Sequence, residues 1–402
     1  GGYVSAPVIV AAFLLKPLLR LRIVVEEQNL VPGTLNKVAS LLADTVLVSF
    51  RESAFFIWSP RCVFTGYPVR DAYLESGEAV GEVRREYGVG EEEVLVVVCG
   101  GSMGSRSLNR ALVAALPEIL AVPGVVVVHV IGMMRSAEYD AVADTVDRLQ
   151  LVLGADFDRD RMTARDAAGR VVYHAVAYAH DFARLQRAAD LVLTRAGAGA
   201  LAELAALGTA SVLVPKRNLP GDHQELNAIA VAQAGAAEVV FERPDPATGV
   251  DSVDPVELAG IVTALTVDGR RRRELAEAAR ARGERDVEAR VVGAVRAVVA
   301  GGEVDLITDI TEPPFVRYQR QFDSLVADLA EAPEATLYHR LYDIKVEEYL
   351  ASPSYLQVNR GIKLVGALRR EDLYPWLVEH FPGFKGFQRR NTFTAMARAR
   401  TF

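Results

Sequence analysis

The chain has 402 residues, half of them hydrophobic, which is enough for two or three domains with large cores. Its formal net charge of −7 argues against nucleic-acid binding as a main role. The two cysteines, Cys62 and Cys99, show no metal spacing and no disulfide framework, and no signal peptide is visible, which points to a reducing compartment.

In chain order, residues 1–70 read as the second half of a Rossmann-like domain. Val8 to Leu19 is strongly apolar but interrupted by Lys16 and Pro17 and followed by Arg20 and Arg22, too short and too charged to span a bilayer. Two readings of it stay open: a helix packed on its sheet, or a stretch lying in an anionic membrane interface. Ile23 to Val25 and Thr45 to Ser49 read as buried parallel strands. Residues 71–93, charged and glycine-containing, read as an interdomain linker with a short helix. Residues 94–300 alternate apolar runs with helical patterns. The predicted strands are Val94–Val98, Val125–Ile131, Val171–His174, Leu191–Thr194, Ser211–Val214 and Glu238–Phe241. Between them lie helices over Ser107–Leu120, Phe182–Ala189 and near 200–207 and 224–234. This alternation is that of a parallel sheet covered on both faces, an α/β fold. Residues 270–300 are helical and arginine-rich. From about Gly301 the character changes to a helical extension, 301–402, rich in aromatics and punctuated by prolines. Segments Tyr355–Leu368, Glu371–His380 and Gly386–Arg398 suggest stacked helix pairs of HEAT-like type. The extension reads either as a module that binds a protein partner or as a helical cap.

The densest chemical signal runs from Leu193 to Ala237. A buried strand ends at Thr194, a turn with Gly197 and Gly199 opens a helix, and Glu203 sits one turn into it. Small residues let a backbone approach phosphate, helix-start N–H groups favour negative charge, and the carboxylate can accept hydrogen bonds from a ribose. Gly101 and Ser102, in Gly100–Gly104, stand in an equivalent turn after strand Val94–Val98 and suit a diphosphate through N–H and hydroxyl donors. His223 and Gln224 begin a helix facing the same crevice. Arg195 is expected to hold structure by pairing with a carboxylate or carbonyls, and His129, inside a valine strand, reads as a core histidine. Asp156, Asp158 and Asp160 have the spacing of a metal-binding D-x-D, but no clear strand precedes them and they read as a solvated loop.

Five segments in order carry a resemblance to the MurG family. Gly1-Gly2-Tyr3-Val4-Ser5 resembles its third glycine-rich loop. Glu27-Gln28-Asn29 with Pro32-Gly33 resembles E-Q-N-x-x-P-G, and Thr65 to Arg70 resembles T-G-N-P-V-R. Gly100 to Arg106 with Leu108-Asn109 resembles G-G-S-Q-G-A-R-x-L-N, and Leu193–Ala237 completes the set. The resemblance covers roughly residues 1–300. It implies a GT-B architecture of two Rossmann-like domains, the first incomplete here. The family transfers N-acetylglucosamine from UDP-N-acetylglucosamine to the undecaprenyl-linked lipid I, making lipid II for peptidoglycan, with inversion and without a metal or other cofactor. It also implies a peripheral protein on the cytoplasmic face of the bacterial plasma membrane. By position it assigns Glu203 to the ribose, Ala179 to the uracil through its backbone, Arg70 and Ser102 to the diphosphate, and His223 and Gln224 to sugar and nucleotide. Gly1, Gly2, Ser5, Glu27 and Asn29 fall on the acceptor side. The chain departs from the pattern at Met103, where the family has glutamine, at Gly199-Ala200, where it often has leucine–threonine, and at Glu26, where it has histidine. These departures leave room for another UDP-sugar or for a non-catalytic scaffold. The family's G-G-T-G-G-H loop would lie before residue 1, so the chain reads as a fragment, and the catalytic base is expected in that upstream segment.

Overall fold

The computed structural model describes residues 3–74, 80–245, 248–332 and 336–399, in two compact units divided after Asp309. In the first unit, helix α1 (Ala6–Leu19) precedes a small parallel sheet of β1 (Val24–Glu27), β2 (Thr45–Val48) and β3 (Cys62–Phe64), with α2 (Thr34–Ser40) between β1 and β2. Its core is Ile23, Val25, Val46, Val48, Ile57 and Cys62. Burial raises the Cys62 thiol to a pKa of about 11, so both cysteines, free and buried, are inert packing residues. No residue of α1 is fully buried; only Ile9 and Ala12 reach the small core, and Leu14 and Leu18 are 69% and 78% exposed. None of the helices of the described residues is long and apolar enough to cross a membrane.

Helix α3 (Val80–Glu86) follows and is tied to the next sheet by Arg84, which donates to Asp190 and to the carbonyls of Gly90 and Glu93. Then come β4 (Val94–Cys99), α4 (Arg106–Leu120), β5 (Val125–Val130), α5 (Ala141–Leu153), β6 (Phe157–Asp158), β7 (Thr163–Arg165) and β8 (Val171–Val176). The unit continues with α6 (Phe182–Ala188), β9 (Leu191–Thr194), α7 (Ala198–Leu207), β10 (Ser211–Leu213), α8 (His223–Gln233) and β11 (Glu238–Val239). The hairpin β12 (Arg243–Pro244) and β13 (Asp251–Ser252) and helices α9 (Pro255–Val267), α10 (Gly269–Ala281) and α11 (Val287–Ala300) close it. The sheet order is β11-β10-β9-β4-β5-β8-β7-β6, parallel from β11 to β8. Every residue of β4 and β5 is buried, as befits valine runs covered by helices on both faces. His129 lies in that core between the Tyr173 hydroxyl (2.9 Å) and Asn109 (3.1 Å), and burial lowers its pKa to about 3, so it is neutral.

Two expectations need correction. Residues 156–160 are not a strandless loop: Phe157–Asp158 pairs antiparallel with Thr163–Arg165 at the sheet edge, and the Asp158 carboxylate accepts the N–H groups of Asp160 and Arg161 (3.1 and 3.0 Å) to close the turn. An edge strand needs no apolar run, so the hydrophobic pattern hides it. The change of character at Gly301 is also not where the chain leaves the first unit. After α11 returns to the small sheet, Ile307 N–H donates to the carbonyl of Cys62 on β3 (2.8 Å).

The second unit holds α12 (Pro314–Arg320), α13 (Phe322–Glu331), α14 (Leu337–Leu350), α15 (Tyr355–Ala367), α16 (Tyr374–His380) and α17 (Phe387–Ala399) around Leu325, Leu341, Val346, Ile362, Leu364 and Val365. Helices α15 and α17 pack backbone to backbone at Gly366, where an added Cβ would come 2.6 Å from the Cα of Ala395.

Candidate functional site

In the eight-stranded sheet the chain runs from β4 outward to β5 and β8, then crosses to β9 on the other side of β4. The sheet's topological switch therefore lies between β4 and β9, paired in register at Val98–Leu193 and Cys99–Thr194. Loops leaving adjacent strands in opposite directions there open a crevice at the carboxyl ends, where α/β sheets bind ligands. The two loops are Gly100–Ser105 and Arg195–Gly197, so Gly101, Ser102 and Gly197 stand at the switch.

The Gly100–Ser105 loop has little freedom. Gly104 has φ +81°, and a Cβ there would lie 2.1 Å from the Ile131 carbonyl oxygen. The facing Gly132 is equally tight, its added Cβ lying 2.1 Å from Gly104 N. The Ser102 and Met103 carbonyls accept the N–H groups of Met133 and Met134 (3.2 and 3.0 Å), and Ser105 caps α4 by accepting Leu108 N–H (3.3 Å). Gly101 differs: its φ is +98° and an added Cβ would meet nothing within 4 Å. We predict that Gly104→Ala destabilises the protein by about 3 kcal/mol or more, whereas Gly101→Ala costs about 1–2 kcal/mol from backbone strain alone. Thermal unfolding of the two variants checks the difference in size.

Helix α7 begins after Gly197, which is extended (φ −71°, ψ 145°), with no capping side chain and open space where a Cβ would be. Its first N–H groups therefore face the crevice without a side-chain acceptor. One turn in, Glu203 is half-buried. Burial raises its pKa, while a hydrogen bond from Tyr73 and the charge of Arg70 pull it down. Arg70 donates to the Tyr73 hydroxyl (3.2 Å), stacks over its ring and lies 3.8 Å from the Glu203 carboxylate. Arg70, Tyr73 and Glu203 thus form a relay joining the segment after β3 to α7. Cys99 at the end of β4 feels the charge of Glu203, and Arg70 that of Tyr178, which places the 178–179 turn beside the same group. Ala179 is part-exposed at that turn.

Tyr67 approaches α7 from the small sheet. Its phenol lies over Gly199, where an added Cβ would sit 3.2 Å from the hydroxyl oxygen, and its pKa is raised by burial and then by the charges of Glu26 and Glu203. Glu26, exposed near the end of β1, is thus on the side facing α7. We predict that Gly199→Ala is nearly neutral, that Gly199→Leu lowers stability by about 1–3 kcal/mol through overpacking, and that adding Tyr67→Ala to it recovers part of the loss. A double-mutant cycle in denaturant tests the pairing.

Other residues singled out from sequence sit differently. Glu27 is buried, with one carboxylate oxygen accepting Asn29 N–H (2.9 Å) and the other Asn36 Nδ2 (2.8 Å), so it organises the turn that presents Gln28 and Asn29. His223 and Gln224 occupy the first turn of α8, where the Gln224 side-chain carbonyl accepts Lys216 N–H (2.9 Å). Asn227, fully buried on α8, accepts Leu30 N–H (3.2 Å) and donates to the Ala196 carbonyl (3.1 Å), tying the small-sheet turn to the loop before α7. Ser5 ends a 3-10 turn before α1, and Gly1 and Gly2 lie outside the described residues. Arg195 is a structural hub: it donates to Glu242 (2.7 Å), Ser105 (2.5 Å), Ser107 (2.8 Å) and the Val214 carbonyl (3.0 Å). A cavity of about 220 Å³ runs along α7 against Leu201, Ala202 and Ala205, and neither Gly199 nor Glu203 lines it. Sequence reasoning passed over Tyr73, which falls in the segment read as linker. Its spacing three residues after Arg70 is the one signal that could have found it.

Residues 95–253 match the glycosyltransferase family 28 C-terminal domain. The chain is 35% identical over 285 residues to the UDP-N-acetylglucosamine–N-acetylmuramyl-(pentapeptide) pyrophosphoryl-undecaprenol N-acetylglucosamine transferase of Desulforudis audaxviator, covering 71% of this chain and 68% of that protein. It is 35% identical over 305 residues to the protein of the same name from Nitratidesulfovibrio vulgaris, covering 75% and 72%. Among solved structures it is similar to Acinetobacter baumannii MurG, with a TM-score of 0.52 and 25% identity over 74% of this chain and 72% of that one. With that much of its length shared with these transferases, the chain belongs to the MurG family.

Proposed function

We propose that the chain is an inverting hexosyltransferase that moves N-acetylglucosamine from UDP-N-acetylglucosamine to the undecaprenyl-linked acceptor lipid I, forming lipid II. The observation that carries this reading is Glu203 at the switch crevice, half-buried and held by Tyr73 and Arg70 one turn inside an uncapped helix start. A ribose placed there meets a carboxylate acceptor, and a diphosphate meets the N–H groups of α7 and the Gly101–Ser102 loop. The acceptor hydroxyl would displace UDP at the anomeric carbon as a general base takes its proton, with the leaving charge met by those N–H groups and by Arg70.

The exposed apolar face of α1 supports a peripheral place on an anionic membrane, the cytoplasmic face of the plasma membrane in this reading. Part of its basic flank is already used, because Lys16 and Arg22 pair with Asp44 (2.8 and 3.4 Å). The test is transfer of labelled N-acetylglucosamine to lipid I in detergent micelles, beside UDP-glucose as competing donor. Labelled lipid II made from UDP-N-acetylglucosamine is the expected product. Preference for UDP-glucose would move the assignment to another donor, and donor binding without transfer would favour a non-catalytic scaffold.

A further inference from the structure

We propose that the outward face of α17 docks on an anionic lipid surface, giving the protein a membrane contact outside residues 95–253, which match the family model. From Phe381 to Phe402 the chain has five basic residues, Lys385, Arg389, Arg390, Arg398 and Arg400, and no acidic one, although the whole chain is acidic. The buried side of α17 is Gln388, Thr392 and Ala395. Helical spacing then puts Phe387, Arg390 and Phe393 on the opposite side, and the two phenyl rings are 66% and 65% exposed. Arg389 is held by the carbonyls of Phe384 and Pro382 and stacks on Phe381, which in turn meets Phe393 edge-on at 5.3 Å.

Elsewhere in this unit several cations are paired with carboxylates. Arg370 sits among Asp343, Glu347 and Asp372, Arg317 pairs with Asp328, Arg320 with Glu312 and Lys363 with Asp323. Among the described residues Lys385, Arg389 and Arg390 meet no carboxylate. Cations without counter-charges around exposed rings that carry no polar atom match a surface that is anionic outside and apolar within. The choice of lipid over an acidic protein rests on the proposed function, whose acceptor is itself a membrane lipid.

The experiment is sedimentation of the full chain with vesicles of phosphatidylcholine alone or mixed with phosphatidylglycerol. Three variants are compared: Phe387→Ser/Phe393→Ser, Lys385→Glu/Arg390→Glu, and Leu14→Ser/Leu18→Ser on α1. All alter exposed side chains, and unchanged thermal unfolding shows that each is folded. The expected result is binding to the phosphatidylglycerol vesicles that salt weakens and that each α17 variant reduces by about tenfold. Binding lost only in the α1 variant, or α17 variants that bind as well as the wild type, overturns the proposal. A wild type that ignores both vesicles overturns it too and leaves the face to an acidic protein. Transfer in detergent does not depend on α17, so failure of the proposed activity is read separately.

Discussion

Glu203→Ala is expected to weaken UDP-N-acetylglucosamine binding by about 10- to 100-fold, the range for losing hydrogen bonds to a charged acceptor. Titration calorimetry on the full chain measures it, and wild-type affinity in the variant would remove Glu203 from the site. The pH dependence is sharper still. Only the ionised carboxylate accepts two ribose hydroxyls, and burial raises its pKa above the ordinary carboxylate value. Affinity should therefore fall as pH drops through that raised pKa, beginning at a higher pH than an exposed glutamate would show. Tyr73→Phe removes a hydrogen bond that lowers this pKa, so its acid limb should move to higher pH. Glu203→Gln should bind weakly with no such limb. Stability has the opposite sign. A folded-state pKa above the unfolded one means the folded protein holds the proton longer, so this residue costs stability as pH rises from the unfolded value through the folded one. Glu203→Gln should then unfold at a higher temperature than the wild type at neutral pH.

Arg195→Met is expected to be the most destabilising single change near the crevice. The Glu242 side chain is only 2% exposed and Arg195 14%, and the change leaves that carboxylate buried without its cation. Breaking a buried pair this way costs about 3–5 kcal/mol, or roughly 5–8 °C in melting temperature for a unit of 309 residues. Glu242 also accepts Arg217 N–H (2.8 Å), so the loops after β9 and β10 loosen together. Arg195→Met/Glu242→Gln should recover part of the loss, because no buried charge is then stranded. A single variant that melts within about one degree of the wild type, roughly the effect of half a kcal/mol, would show that the hub is solvated.

Much of the donor-side fold was legible because its strands are buried on both faces. Leu191–Thr194 falls where expected, and the valine runs at 94–98 and 125–131 are off by one residue at an end. Such runs are written in composition alone. Strand β3 has three residues and β6 and β7 sit at an edge, so none of them leaves a run to read. At the site, Glu203, Gly197, Gly101 and Ser102 could be named because each lies just beyond a legible strand. Tyr73 was missed: its spacing from Arg70 is the only hint, and its part is set by Arg70 and Glu203, which are far apart in sequence and meet only in the fold.

The parallel strands of the large sheet, the glycine turns that open its helices and the family itself are all readable from the order of residues. These are local matters of side-chain shape, backbone freedom and hydrophobic period. Folding in three dimensions was needed to make Glu27 the organiser of a turn, to set Arg195 between Glu242, Ser105 and the Val214 carbonyl, and to rest Tyr67 on Gly199. Each depends on which distant groups share a few ångströms of space, and burial then sets what their charges cost.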